Sequence, residues 1–155
     1  MMNAWDQRFG GIERLCGKSA SQKIRDAHVC IIGIGGVGSW TAESLARTGI
    51  GKLTLVDMDE VCVTNVNRQV HALDGEVGQL KVESMARRIR LISPDCIVQP
   101  QSVFFTQATS NAIFDERYDV VVDAIDRLNA KCLLLNMAKQ AGLPIVSTGA
   151  AGGRM

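Results

Sequence analysis

Residues 28–39 read HVCIIGIGGVGS, and the fold turns on how this stretch is understood. His28 to Ile32 is a continuous apolar run without polar alternation, the pattern of a strand buried on both faces in a parallel sheet. It runs straight into a turn where Gly33, Gly35 and Gly38 satisfy G-x-G-x-x-G, and a helical segment from Trp40 to Thr48 follows. In that order, strand then glycine turn then helix, backbone N–H groups and the helix dipole converge on an anion. Gly49 and Gly51 end the helix, and KLTLVD at 52–57 makes a second strand, closing a βαβ unit of about 30 residues. Asp57, at the carboxyl end of that strand, is placed to accept from ribose hydroxyls.

The same alternation continues outward. After a loop from Met58 to Gly78, Leu80 to Ile92 reads as an amphipathic helix, with Val82, Met85, Ile89 and Ile92 on one face and Glu83, Arg87 and Arg90 on the other. Pro94 stops it. A strand at 97–103, a helix at 107–114, the buried strand YDVVVDA at 118–124, a helix at 128–141 and a strand at 144–148 complete the pattern. The expected fold class is α/β: a Rossmann-like, doubly wound, mainly parallel sheet with helices on both faces. Residues 28–155 form this domain. Residues 1–27 form a polar helical lead-in, with short helices at 12–16 and 19–27 and Ser19 or Ser21 as a cap. The final GAAGGRM is a glycine-rich loop after an interior-looking strand, and the expectation is that the chain is cut before a second half.

Composition narrows the function classes. A chain of 155 residues with 46% hydrophobic content can bury a core as one domain. The near-balance of 17 basic and 16 acidic residues argues against a broad nucleic-acid footprint, so any RNA partner is expected to be held locally. Cys16, Cys30, Cys62, Cys96 and Cys132 form no C-x-x-C pair and read as reduced thiols of a cytoplasmic protein. MMNAWDQRFGG lacks the apolar core of a secretory signal, and no apolar run approaches membrane-spanning length.

The glycine turn alone describes an ATP site, a nicotinamide or flavin dinucleotide site, or a tight turn without ligand. The stretches that follow it, VDMD at 56–59, TNVNRQ at 64–69 and GQLK at 78–81, carry the distinction. A dinucleotide presents about two negative charges and ATP about four, which must be neutralised before its α-phosphate is attacked. Arg68 and Lys81 are the candidates for that task. Lys81 lies in the first turn of its helix, unfavourable for the macrodipole, so a phosphate-directed role explains it better than helix stability; the alternative is a solvated lysine tolerating ~0.3–1 kcal/mol. Asp123 and Asp126 follow a strand at the sheet's carboxyl edge and are expected to face the same crevice, one holding magnesium and at least one capping the next helix. Cys62 reads as a small buried hydrophobe and His71 as a loop or packing residue. Arg87, Arg88 and Arg90 form a short basic cluster that is either a solvated face or an RNA contact.

Taken together, GIGGVGS, VDMD, NVNRQ, GQLK and DAID give residues 8–155 a resemblance to the ThiF and MoeB group of ubiquitin-activating-type adenylating enzymes. Within it, RFGG, RTGIG, CVTNVNRQVHAL and TGAAGG look most like the branch that dehydrates threonylcarbamoyladenosine in bacterial tRNA. The resemblance implies ATP and Mg2+ as cofactors. It implies a nucleotide-binding set of Gly33, Gly35, Gly36, Gly38, Asp57, Asp59, Asn65, Arg68 and Lys81. Within that set Gly36, Asn65, Arg68 and Lys81 meet phosphates and Asp57 meets the ribose. Arg68, Lys81 and Asp126 would be the catalytic residues, with Asp126 holding the metal. The implied reaction is attack of a substrate carboxylate on the α-phosphorus of ATP, followed by internal capture of the acyl adenylate with net loss of water. A homodimer, tRNA and a sulfur-transfer protein are the implied partners.

Two departures from the group stand out. An N-terminal Arg-aromatic-Asn-Arg run, which sends an arginine into the partner subunit's site, is replaced by Arg8-Phe9-Gly10-Gly11, leaving Arg8 or Arg14 as substitutes. Arg127 also follows Asp126 where asparagine is usual. The competing readings are an adenylating enzyme for a ubiquitin-like sulfur carrier, an NAD-dependent oxidoreductase and a non-catalytic nucleotide-binding module.

Overall fold

The computed structural model describes residues 4–149. Its elements are α1 (Ala4–Cys16), α2 (Lys18–Asp26), β1 (His28–Ile32), α3 (Gly36–Arg47), β2 (Lys52–Val56), a 3-10 turn (Val63–Asn65), α4 (Lys81–Ile92), β3 (Ile97–Gln101), α5 (Gln107–Phe114), β4 (Val120–Asp123), α6 (Leu128–Gln140) and β5 (Ile145–Ser147). The five strands form one sheet in the order β3-β2-β1-β4-β5, every pairing parallel. Chain order runs outward from β1 to one side through β2 and β3, then returns to its other side for β4. The topological switch point therefore lies beside β1, at the carboxyl ends of β1 and β4, where ligands bind in open α/β sheets.

The unbroken apolar run of β1 has a direct cause. Successive side chains point to opposite faces, and both faces are covered. Val29 and Ile31 pack with Leu53, Leu55, Ala42, Ala46, Val82, Met85 and Ile89 under α3 and α4. Cys30 and Ile32 pack with Val121, Ile113, Leu134 and Tyr118 under α5 and α6. The sheet is Rossmann-like and doubly wound, as the alternation of runs implies.

On the first face α3 and α4 are joined by a charge cluster. Glu43, 4% exposed, accepts from Arg88 at 2.6 Å and pairs with Arg47 at 2.7 Å. Burial pushes the Glu43 carboxyl up, but hydrogen bonds from Arg88 and Arg47 outweigh it and hold the group below the usual carboxylate range. Arg87 pairs with Glu76. Two of the three arginines in the basic cluster are thus engaged within the fold.

The N-terminal helices differ from expectation. α1 begins at Ala4 rather than near Ile12, because Trp5 and Phe9, one turn apart, are both buried against the connection from α3 to β2. Trp5 Nε1 donates to Gly49 O at 3.1 Å. Gly49 has φ 83°, and a β-carbon there would stand 2.8 Å from Phe9 Cγ, so only glycine fits. Neither Ser19 nor Ser21 caps α2: the N-cap is Gly17, and Ser21 Oγ donates back to Lys18 O. The glycine-rich ending beyond Gly149 lies outside the described residues.

Candidate functional site

At the switch point the sheet edge opens into a crevice of about 820 Å³. Its floor is the glycine turn. Gly33 has φ 93°, and a β-carbon there would meet Ala124 O at 2.7 Å, so glycine lets the ends of β1 and β4 approach. A β-carbon on Gly38 would stand 1.8 Å from Gly33 O, so α3 can rest on the turn only with glycine at that position. Gly35 and Gly36 present bare backbone to the crevice, where the first amides of α3 have no intrahelical partner. Asp57 ties this floor to β2: its Oδ2 accepts from Ile34 N at 2.7 Å and its Oδ1 from Asp59 N at 2.8 Å.

One wall is the excursion between β2 and α4, closed at its base by an antiparallel bridge between Glu60 and Leu80. Asn65 is buried, and its Oδ1 accepts from Cys62 N at 2.9 Å, turning the loop toward Arg68. The Arg68 stem lies over Gly36, its Cγ 3.6 Å from where a β-carbon would be. Its Nη1 donates to Thr64 O and Asn67 Oδ1, both at 3.0 Å. Lys81 is not a solvated surface lysine. Its side chain is 9% exposed, and Nζ sits 2.9 Å from Asp59 Oδ2 at the crevice wall.

The opposite wall is the turn after β4. Asp126 is exposed and lines the crevice. Asp123 does not, contrary to expectation. It shares the strand parity of Val121, which packs beneath α6, so its carboxylate is fully buried there. It accepts from Lys131 Nζ at 2.5 Å, Ser147 Oγ at 2.6 Å and Ile125 N at 3.1 Å. Neither aspartate caps α6, whose N-cap is Arg127 with no side-chain cap bond. The Arg127 guanidinium instead lies 4.9 Å over the Phe104 ring.

The crevice therefore brings together Gly33, Gly35, Gly36, Asp57, Asp59, Asn65, Arg68, Lys81 and Asp126, with Gly38 directly behind it. Arg8 lies elsewhere, donating to Ile92 O at 3.3 Å, and Arg14 lines a separate cleft between α1 and α2. Cys62 is exposed rather than buried, and hydrogen bonding from Thr64 holds its thiol below the usual value. His71 is buried, away from the crevice, with both ring nitrogens unpartnered; burial, with Lys81 nearby, pushes its pKa down to about 4. It occupies a buried packing position outside the crevice lining.

Sequence reasoning assigned no role to Gln69, which lines the crevice and is 6% exposed, or to Lys131, which closes the Asp123 network. The only signal for Gln69 was its place in NVNRQ beside Arg68. Among the described residues no cluster of three or more metal-binding side chains exists, and no helix is long and apolar enough to cross a membrane.

Chemically, the arrangement is a helix N-terminus with bare backbone, suited to an anion, with two cations on one wall, the Asp126 carboxylate on the other and the Asp57 carboxylate at one end. The chain is similar to known proteins in sequence and in structure. The tRNA threonylcarbamoyladenosine dehydratase of Escherichia coli (strain K12) is 52% identical over 153 residues, covering 99% of this chain and 57% of that protein. Its namesake from Haemophilus influenzae is 46% identical, covering 97% of this chain and 58% of that protein. A crystal structure of the E. coli tRNA N6-threonylcarbamoyladenosine dehydratase in complex with ATP superposes with a TM-score of 0.96 at 51% identity, covering 99% of this chain and 63% of that one. The chain thus spans less than two thirds of the length of these relatives. Because the ThiF family model matches residues 11–154, from α1 through the crevice and past β5, the chain belongs to the ThiF family.

Proposed function

We propose that the chain is the ATP-binding, carboxylate-adenylating part of a tRNA threonylcarbamoyladenosine dehydratase. The observation that carries this is the convergence of Arg68, Lys81 and Asp126 on the crevice whose floor is the glycine turn. A dinucleotide site needs the floor and Asp57 but has no use for two cations and a facing carboxylate. The two relatives carry the dehydratase name, and the solved neighbour is described with ATP.

The residues present fit ATP and magnesium. Gly35 and Gly36 leave the anion cradle open. A single carboxylate in a phosphate site suits Mg2+, which takes one or two carboxylates and fills its other positions with phosphate oxygens and water. Asp126 would hold that ion, which when bound neutralises charge on the phosphate chain. Asp57 accepts from the ribose, with Asp59 beside it on the crevice wall. Asn65 holds the loop and turns its amide toward the phosphates. Lys81 exchanges its pairing with Asp59 for phosphate oxygens. Arg68 stabilises the charge that develops as the substrate carboxylate oxygen bonds to the α-phosphorus and pyrophosphate departs. Internal capture of the resulting adenylate then closes the ring and releases AMP. We place the protein in the cytoplasm as a homodimer, with tRNA held by local contacts and a sulfur-transfer protein as a further partner.

The test is incubation with ATP, magnesium and tRNA carrying threonylcarbamoyladenosine. Cyclised adenosine, AMP and pyrophosphate are expected. Adenylation of a ubiquitin-like carrier's C-terminus with no cyclised adenosine would replace this reading with the carrier-activating one, and tighter binding of NAD than of ATP would end both.

A further inference from the structure

We infer that Asp123 and Lys131 are positioning residues for Asp126: their buried ion pair closes the ends of the turn that carries it. The inference rests on the reading of Asp126 as the magnesium-holding carboxylate. Neither member of the pair lines the crevice, so both act through the backbone between them. Lys131 Nζ lies 2.5 Å from Asp123 Oδ2, with side chains 15% and 0% exposed. Inside the loop that this pair closes, Ile125 N donates to Asp123 Oδ1 at 3.1 Å and Lys131 N donates to Arg127 O at 3.0 Å. Asp126 therefore has one neighbour bonded to each member of the pair. Ala124 N donates to Ile32 O at 2.9 Å, which ties the same turn to the end of β1.

The pair is itself fixed from outside. Asp123 and Ser147 are register partners in β4 and β5, and Ser147 Oγ donates to Asp123 Oδ2 at 2.6 Å. Lys131 Nζ also donates to Thr148 O at 2.8 Å and to Ser147 Oγ at 3.4 Å, so each proton of the ammonium has an acceptor. Thr148 N and Thr148 Oγ1 both donate to Asp123 O, at 3.1 and 3.2 Å. Stability alone does not call for such a pair. Two charges taken out of water recover little beyond their desolvation cost, and apolar side chains of similar volume commonly hold a fold as well. What apolar side chains lack is direction. A carboxylate and an ammonium with these partners hold the 123–131 segment in one arrangement, and with it Asp126 on the crevice wall. Partners that orient a metal's ligand are worth about 10- to 100-fold in metal affinity although they never touch the ion.

Calorimetric titration with ATP, in magnesium and in EDTA, tests this on the wild-type protein, Asp126→Ala and the double variant Asp123→Leu/Lys131→Met. The double variant removes both charges together and strands neither, so its urea midpoint stays near wild type. Its magnesium-dependent gain in ATP affinity falls about tenfold or is lost, as in Asp126→Ala, while its affinity in EDTA stays near wild type. A wild-type gain in the folded double variant, or an equal fall in magnesium and in EDTA, overturns the inference and leaves the ATP reading standing. A wild-type gain in Asp126→Ala removes the metal reading of Asp126 and this inference with it, and a wild-type protein that binds no ATP removes the ATP reading as well. Should the double variant fold poorly, Ser147→Ala, which deletes an exposed hydroxyl from the same network, decides. A smaller fall of the gain, confined to magnesium, supports the inference, and an unchanged gain overturns it.

Discussion

Lys81 shows how one residue joins sequence position to chemistry. Its ammonium is nearly buried and has one carboxylate partner, Asp59, which is itself 55% exposed. Removing the lysine therefore leaves Asp59 free to hydrate, and the structural cost is small compared with breaking a fully buried pair. We expect Lys81→Ala and Arg68→Ala each to lower ATP–pyrophosphate exchange roughly 10- to 100-fold, the loss of one charge-assisted contact, with melting temperatures close to wild type. Exchange at the wild-type rate in either variant would remove that residue from the reaction. Lys131→Met should behave in the opposite sense. It strands the Asp123 carboxylate, 0% exposed, and should cost about 3–5 kcal/mol in urea unfolding. A variant as stable as wild type would show that the pair is not the brace it looks to be. Spacing alone did not separate Asp123 from Asp126, and only the family resemblance chose Asp126. Asp123 ends β4 on the face of Val121 and enters the core, whereas Asp126 lies in the turn beyond the strand and lines the crevice, and where β4 stops is not written in the local pattern.

At the level of elements, close approach of backbone decides more than propensity. Gly38→Ala sets a β-carbon 1.8 Å from Gly33 O, so α3 must lift from the turn and the anion cradle must open. We expect this substitution to abolish nucleotide binding and lower stability by at least 2 kcal/mol, in the range of severe single substitutions, as read by titration and urea unfolding. Wild-type ATP affinity in Gly38→Ala would mean that the turn is not the anion site. The glycine turn, β1, β2, α4 and α5 were legible because their signals are local: apolar runs, glycine spacing, a helical stripe. The start of α1 was not, because Gly10 and Gly11 lie inside it and weaken its intrinsic helix preference. What holds it is burial of Trp5 and Phe9 against Gly49, a contact 44 residues away for Trp5. The wall built by the 58–80 excursion was legible in its residues but not in its shape. Its bends rest on bonds such as Cys62 N to Asn65 Oδ1, which leave no periodic trace.

Across the whole molecule, stability is tied to pH through its histidines, and there are only two in the sequence. His71 is buried without a hydrogen-bond partner at either nitrogen, and burial, with Lys81 and Arg88 against Glu76, takes its pKa from 6.5 to about 4. His28 is also lowered, by burial and then by Lys52, although Arg117 O, Glu116 and Asp119 oppose the shift. For both, the folded protein resists the proton more than the unfolded chain does. Their contribution is therefore complete above pH 6.5 and is lost as pH falls through the window down to about 4 for His71. The size expected from His71 between pH 7 and pH 5 is about 2 kcal/mol. The carboxylates of Glu43 and Glu76, also held low, contribute their own losses only at more acidic pH. Urea unfolding at pH 7 and pH 5 should thus show a marked fall in midpoint for the wild-type chain. His71→Asn should remove most of that fall, because no proton is taken up at the site on unfolding. A wild-type midpoint that does not move between the two pH values, or a fall that persists undiminished in His71→Asn, would show that His71 is not held neutral by the fold.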